Sequence, residues 1–128
     1  MIVKQVIVTA LIFSAIDVFW IGFAANKIYN KYIGKLLRKK FLPAPAILFY
    51  LIYIIGLVVF ALQPALDHHS ISLAVWHGAF FGLVCYATYD LTNMATLKGW
   101  SAKLTIIDMT WGTVLSAVVT TLSYLIFR

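Results

Sequence analysis

Charged residues are scarce in this sequence: they make up 11% of its 128 residues, whereas 63% are hydrophobic. Soluble domains carry about 25% charged residues, so this chain lacks the polar surface that it would need to face water on all sides. Runs of about 20 apolar residues are typical of membrane-spanning helices, and four such runs are present. The composition therefore excludes an ordinary soluble domain, and we expect the length to suit one bundle without a separate soluble domain.

Several familiar motifs are also missing. The single cysteine, Cys85, excludes an intrachain disulfide. The sequence contains no P-loop, H-E-x-x-H, G-x-S-x-G or Cys-x-x-Cys pattern. The histidines, His68, His69 and His77, cluster in one loop and the start of one helix, which argues against haem ligation by pairs of helical histidines. Asp67 beside His68 and His69 is a weak metal candidate without an evident third ligand. None of these patterns assigns an enzyme activity.

The four apolar runs predict four membrane-spanning helices, because every backbone polar group inside lipid needs a partner within the chain. Pro43 and Pro45 precede the second run and Pro64 follows it. Proline is tolerated in the first turn of a helix and is expected to stop a helix beyond its end. We therefore predict an all-α integral membrane four-helix bundle, narrow enough to be compatible with a homodimer. The predicted spans cover about residues 5–25, 44–62, 72–97 and 104–127.

The net charge of +6 could indicate a nucleic-acid partner, but the positions of the basic residues argue against that class. Six of the ten lysines and arginines lie between the first two spans, and Lys98 and Lys103 flank the last loop. Only Lys4 and Arg128 lie on the other side. Cytoplasmic loops collect such residues, which predicts loops one and three in the cytoplasm and both termini outside. The first run also contains Asp17 and exceeds a usual signal core, so we interpret it as a retained helix.

The stretch "KIYNKYIGKLLRKKF", at residues 27–41, has an amphipathic pattern. Its apolar residues recur at four-residue steps, and its basic residues occupy the opposite side. This pattern predicts an interfacial helix between the first and second spans. Two interpretations stay open: a solvated positive loop that fixes topology, or a surface for anionic lipid headgroups, where each basic residue contributes about 1 kcal/mol. The basic residues are Lys27, Lys31, Lys35, Arg38, Lys39 and Lys40.

Three of the four acidic residues, Asp17, Asp90 and Asp108, fall within predicted spans. Each costs roughly 2.5–3.5 kcal/mol near the centre of a membrane helix, so such residues usually face the bundle interior. The helical rise places Asp17 and Asp90 ~12 Å, and Asp108 ~8 Å, from the cytoplasmic ends of their helices. Because the three depths are similar, we expect these acids to converge in one pocket on the cytoplasmic side.

The residues around these acids form small and polar stripes on three of the spans. On the third span, Gly78 and Gly82 make a G-x-x-x-G, which allows another helix to approach closely. Two Asp-x-x-Trp repeats place Trp20 and Trp111 one turn from an acid. The third-span stripe holds Gly78, Gly82, Tyr86, Asp90 and Asn93, the fourth-span stripe holds Asp108, Gly112, Ser116 and Thr120, and the first-span stripe holds Ala10, Ser14, Asp17, Ile21 and Ala24.

Three neighbouring carboxylates cannot all be ionised cheaply, so a bound proton or a cation is expected among them. Our leading hypothesis is a transporter-like protein that binds a proton, a cation or a small cationic substrate there. An alternative is a lipid-acting membrane enzyme or accessory factor that uses the same three acids to hold a divalent metal. A third is a structural partner subunit in which the acids only join helices. The predicted binding residues are Asp17, Asp90 and Asp108, with Asn93, Tyr86, Tyr89, Trp20 and Trp111 positioning them.

Several segments give the sequence a resemblance to a known family. They are the Asp17–Trp20 tetrapeptide, "LFYLIYIIGLVVF" with the following "QPAL", and above all "YATYDLTNMATLKGW" and "DMTWGT". The chain resembles the small bacterial predicted membrane proteins grouped as domain of unknown function 2177. The resemblance covers nearly the whole chain, and these segments carry it. The resemblance implies a four-helix membrane topology and no particular activity. We expect the bundle to lie in a bacterial inner membrane.

Overall fold

The computed structural model describes residues 2–128, and the regular structure in that range is entirely helical. Its four long helices are each long and apolar enough to cross a membrane. A helix of 26 residues spans ~39 Å, more than the ~30 Å of the hydrocarbon core. The predicted all-α four-helix membrane architecture is confirmed. The helices are α1 (Ile2–Leu36), α2 (Pro43–Asp67), α3 (Ile71–Thr96) and α4 (Ala102–Phe127).

Short connections make neighbouring helices antiparallel. The helix α3 begins after Ser70, whose hydroxyl oxygen accepts a hydrogen bond from the backbone N–H of Leu73 at 3.2 Å. Ser101 caps α4 in the same way, at 3.1 Å from the N–H of Leu104. These caps satisfy amide groups that have no partner inside a first turn. The α3–α4 turn also uses Gly99 at a φ of 81°, a conformation that favours glycine.

The closest helix pair is α3 with α4. Gly78 and Gly82 lie directly against α4, as the G-x-x-x-G pattern predicts. A Cβ atom on Gly78 would lie only 2.7 Å from the Thr120 Oγ1 atom and 2.8 Å from the Ser116 carbonyl oxygen. A Cβ atom on Gly82 would overlap the carbonyl oxygen of Gly112. Both glycines therefore serve the packing of α3 against α4 within the same chain.

The helix α4 lies at the centre, in contact with α1, α2 and α3, and ten of its residues are buried. Side-chain hydrogen bonds join the helices at the end of the bundle near the 68–70 loop. The hydroxyls of Thr9 and Ser123 are 2.9 Å apart, and the amide of Gln63 donates to the side chain of Gln5 at 3.2 Å. The main apolar core consists of Phe13, Tyr53, Ile54, Leu57, Ala61, Leu115 and Val119.

The helix α1 differs from the sequence prediction in its buried face. Ser14, which we expected in the inward stripe, is exposed on the outside of the bundle. Ile21 is exposed as well, but it lines a cavity between the helices together with Asp17. The predicted first-span stripe is therefore wrong at Ser14, and it holds at Asp17 and Ile21 and in part at the half-buried Ala10 and Ala24. The polar residues Gln5 and Thr9 take the inward positions because each finds a hydrogen-bond partner there. In the segment Ile2–Trp20 of α1, the buried residues are Gln5, Thr9, Phe13 and Asp17.

The basic segment does not form a separate interfacial helix over 27–41. Instead α1 continues through it to Leu36, and residues 37–42 are not helical. The pattern of four-residue steps correctly indicates helix as far as Leu36, but it contains no signal for a break after the first span. Burial of Ile33, at 7% exposure, keeps the continuing helix on the bundle.

The helix α2 also runs farther than predicted, through Pro64 to Asp67. A wide π-helical turn, Val58–Leu62, precedes the proline, and its final hydrogen bond runs from the N–H of Gln63 to the carbonyl oxygen of Val58. Proline removes one backbone donor from a helix, and the wide turn rearranges the neighbouring bonds so that the helix continues. The expectation that Pro64 ends the helix is wrong for this reason.

Replacement of Gly82 by alanine tests the α3–α4 packing. The added methyl group has backbone as its neighbour, so we expect a loss of about 1–3 kcal/mol in stability, as for other overpacked cores. Gly22→Ala is the matched control, because a Cβ atom at Gly22 meets nothing within 4 Å. Thermal unfolding in detergent, followed by circular dichroism, measures both variants. Equal midpoints for the two variants would contradict the close packing.

Candidate functional site

A cavity of about 470 Å³ lies between the helices towards the 37–42 and 97–101 loops. The bundle opens at this end because α2 buries no side chain before Tyr53. Asp17 and Asp108 line the cavity, and each of the four helices contributes aromatic rings to it. The aromatic lining consists of Trp20, Tyr29, Phe49, Tyr50, Tyr86, Tyr89 and Trp111.

Asp17 lies on the inward face of α1 and is 8% exposed. Its Oδ2 atom accepts a hydrogen bond from the hydroxyl of Tyr50 at 3.2 Å. The indole of Trp111, from the antiparallel helix α4, is its other close polar neighbour. The carboxylate of Asp17 therefore depends on α2 and α4 for its surroundings, rather than on its own helix.

Asp108 lies on α4 and is 5% exposed. The hydroxyl of Tyr29 donates a short hydrogen bond to its Oδ1 atom. Tyr29 lies near the C-terminal end of α1, so this bond joins that end of the helix to α4. Asp17 and Asp108 are near enough for their charges to repel each other.

A wide turn in α1 explains how Tyr29 reaches this site. Tyr29 follows Asp17 by twelve residues, which in a regular α-helix would turn it about 120° away from Asp17. The π-helical turn Ile21–Ala25 lies between them and contains one residue more than an α-turn. This extra residue removes about 100° of the difference, so Tyr29 and Asp17 face the same cavity.

Asp90 lies beside the cavity on α3, is fully buried and does not line the cavity. The antiparallel register that sets Gly78 against Thr120 and Tyr86 against Gly112 brings Asp90 opposite Asp108, so that the two carboxyl groups are close neighbours. Two ionised carboxylates cannot donate to each other, and neither oxygen of Asp90 has a hydrogen-bond partner. A hydrogen bond between the two acids therefore requires a proton on one of them.

Trp20 and Trp111 stack against each other in the wall of the cavity. Their ring centroids are 4.4 Å apart and their planes differ by 11°. Both indole N–H groups are buried without a hydrogen-bond partner. The two Asp-x-x-Trp repeats thus bring their indoles together across antiparallel helices, and they leave two donors free beside the acids.

Tyr86 fits the cavity because its ring lies on the backbone of Gly112, where a Cβ atom would overlap the ring. Tyr89, 56% exposed, lines the outer edge and packs edge-on against Trp100, with centroids 5.6 Å apart. Asn93 lies beside Tyr89 rather than in the cavity wall. Of the predicted binding residues, the structure thus places all but Asp90 and Asn93 in the wall.

The three acids do not meet at a single point. Residues 2–128 contain no group of three histidine, cysteine, aspartate or glutamate side chains placed to hold a metal ion. Asp90 and Asp108 form a close pair, and Asp17 and Asp108 line the same cavity. This arrangement gives no support to the divalent-metal alternative.

All six basic residues of the segment between the first two spans are exposed.

Sequence reasoning missed Tyr29, Phe49 and Tyr50 as cavity residues. The amphipathic pattern assigned Tyr29 to a membrane-surface face, because nothing in the sequence signals the wide turn before it. Phe49 and Tyr50 lie in an apolar run where every face looks alike. The one available signal was the pair of tyrosines Tyr50 and Tyr53, whose hydroxyls need hydrogen-bond partners inside a membrane helix.

Comparison with known proteins places the chain in a family. The family model described as "Predicted membrane protein (DUF2177)" matches residues 2–125. The chain belongs to this family. No curated protein matches it, and no solved structure does. The family description agrees with the four apolar helices and names no activity.

Replacement of Tyr29 by phenylalanine tests the bond that joins the end of α1 to α4. We expect a loss of about 1–3 kcal/mol in stability, because a buried carboxylate of Asp108 is left without its donor. Tyr32→Phe is the control: Tyr32 is on the same helix, and its ring lies 5.3 Å from the ammonium group of Lys31. Thermal unfolding of the two variants in detergent gives the comparison, and a Tyr29 variant as stable as the control would contradict the bond.

Proposed function

We propose that this membrane protein binds a small organic cation in its acidic, aromatic cavity, in the manner of a transporter. The observation that carries the proposal is the composition of the wall: two buried carboxylates among aromatic rings from all four helices. Carboxylates attract positive charge strongly where water is excluded. Aromatic faces attract cations as well, and they suit alkylated ammonium groups in particular.

The electrostatic surroundings support a cation rather than an anion. The close polar neighbours of Asp17 and Asp108 are the hydroxyls of Tyr50 and Tyr29, and no basic side chain is among them. A tyrosine hydroxyl satisfies a carboxylate without neutralising its charge. The cavity therefore retains negative charge that a ligand can balance.

The size of the cavity supports a polyatomic ligand. Small-molecule sites occupy about 300–1,000 Å³, and this cavity has about 470 Å³. A bare metal ion needs several oxygen atoms converging on one point, and residues 2–128 contain no group of three such side chains placed to hold one. An ammonium group carrying alkyl substituents would contact both acids and rings at once.

Binding of tetraethylammonium tests this function, because that probe carries a permanent charge and alkyl groups. We expect saturable quenching or a shift of tryptophan fluorescence in detergent, since Trp20 and Trp111 form part of the wall. Asp17→Asn and Asp108→Asn should each weaken binding tenfold to a hundredfold, because a contact with a charged group contributes about 1.5–3 kcal/mol.

Asp67→Asn is the matched control, as Asp67 is an exposed acid in the opposite loop region. Its binding curve should equal that of the unaltered protein. Sulfate at the same ionic strength should give no saturable change. Equal affinity in all three aspartate variants, or no binding by the unaltered protein, would contradict the proposed function.

We also infer that the loops at 37–42 and 97–101 face the cytoplasm of a bacterial inner membrane, with the exposed basic segment against anionic lipid. The positive-inside rule supports this orientation, since eight of ten lysines and arginines lie on that side. Alkaline phosphatase fused after Arg128 should be active, and the same enzyme fused after Lys40 should be inactive. The reverse pattern would refute the orientation.

A further inference from the structure

Asp90 has an unusual position for an ionisable group. Its side chain is fully buried, and neither carboxyl oxygen has a hydrogen-bond partner. An ionised carboxylate in such surroundings would lose its hydration without compensation, which is very costly in an apolar interior. The α3–α4 register, with Gly78 against Thr120 and Tyr86 against Gly112, brings the carboxyl group of Asp108 beside that of Asp90. A second negative charge there would increase that cost.

The groups around this pair cannot neutralise it. The titratable side chains that face the pair are Tyr29 and Asp17 from α1, Tyr50 from α2, and Tyr86 and Tyr89 from α3. None of them is basic. Tyr29 donates to Asp108, and that bond leaves Asp90 without a donor. The missing positive charge or proton must therefore come from outside the protein.

We propose that Asp90 and Asp108 share one proton, and that the site releases this proton when an organic cation enters the cavity. This inference rests on the function proposed above and adds an exchange to it. Asp108 couples the two events because it lines the cavity and also reaches Asp90. A cation beside Asp108 stabilises its ionised form and so weakens the bond that holds the proton.

The exchange keeps the charge of the site constant. With one shared proton and Asp17 ionised, the three acids carry a net charge of −2. When the proton leaves to water and a monovalent cation enters, three carboxylates and one cation again carry −2. Because buried charge is costly in a membrane bundle, two states of equal charge can interconvert at low cost. A protein that binds the cation without releasing a proton would have to change its buried charge.

Isothermal titration calorimetry with tetraethylammonium counts the protons directly. Titrations of the protein in detergent, in two buffers of different ionisation enthalpy, should show about one proton released per cation bound. The affinity should fall by about tenfold for each unit that the pH is lowered in the range where the pair is protonated. The probe itself does not titrate, so the whole dependence on pH belongs to the protein.

Asp90→Asn removes the shared proton while it keeps a side chain of the same shape beside Asp108. This variant should release no proton on binding, and its affinity should not change with pH in that range. Asp67→Asn is again the control and should release one proton like the unaltered protein. Circular dichroism establishes whether each variant is folded, and the proton count on the unaltered protein needs no variant.

Infrared spectroscopy gives an independent readout of the proton. The unaltered protein without ligand should show the carbonyl stretch of a protonated carboxyl group, and Asp90→Asn should lack it. Tetraethylammonium bound with no proton release would overturn the exchange and leave the proposed function standing. No binding at all would overturn both, and absence of the infrared band would overturn the shared proton by itself.

Discussion

The dominant constraint on this structure is the cost of placing carboxylates inside an apolar bundle. Water satisfies such groups in a soluble protein, whereas here other side chains must do so. Tyrosine hydroxyls fulfil that role for two of the acids: Tyr50 donates to Asp17 and Tyr29 donates to Asp108. Asp90 has no hydrogen-bond donor, and its close neighbour is a second acid, Asp108. The chemistry of the site follows from this unequal distribution of donors among three similar groups.

The rest of the bundle positions these groups through two opposite devices. Close packing at Gly78 and Gly82 holds α3 against α4, which brings Asp90 next to Asp108. Two π-helical turns, in contrast, change the direction in which later residues of a helix face or allow the helix to continue. The wide turn in α1 re-aims Tyr29 towards the cavity, and the one in α2 carries that helix past Pro64. The close α3–α4 packing and the lack of buried side chains on α2 before Tyr53 accompany a cavity whose wall includes Asp17 and Asp108.

Sequence reasoning succeeded where one residue type has one physical meaning. Long apolar runs predicted the four helices, and the glycine and small-residue stripes predicted the facing sides of α3 and α4, which the buried Gly78 and Ser116 occupy. It failed on α1, where the inward residues Gln5 and Thr9 are polar and look like outward ones. Their burial depends on partners in α2 and α4, which no pattern within α1 can reveal.

The sequence by itself determined the membrane architecture, the presence of three acids within the apolar helices, and the two indoles one turn from an acid, because hydropathy and helical spacing are local properties. Only the tertiary structure decided that Asp90 lies beside Asp108 and outside the cavity wall, while Asp17 and Asp108 both line the cavity. It also decided that Tyr29 and Tyr50 are the donors. Those contacts depend on one extra residue in a turn of α1 and on the way α2 and α4 pack beside α1, which no single segment reveals.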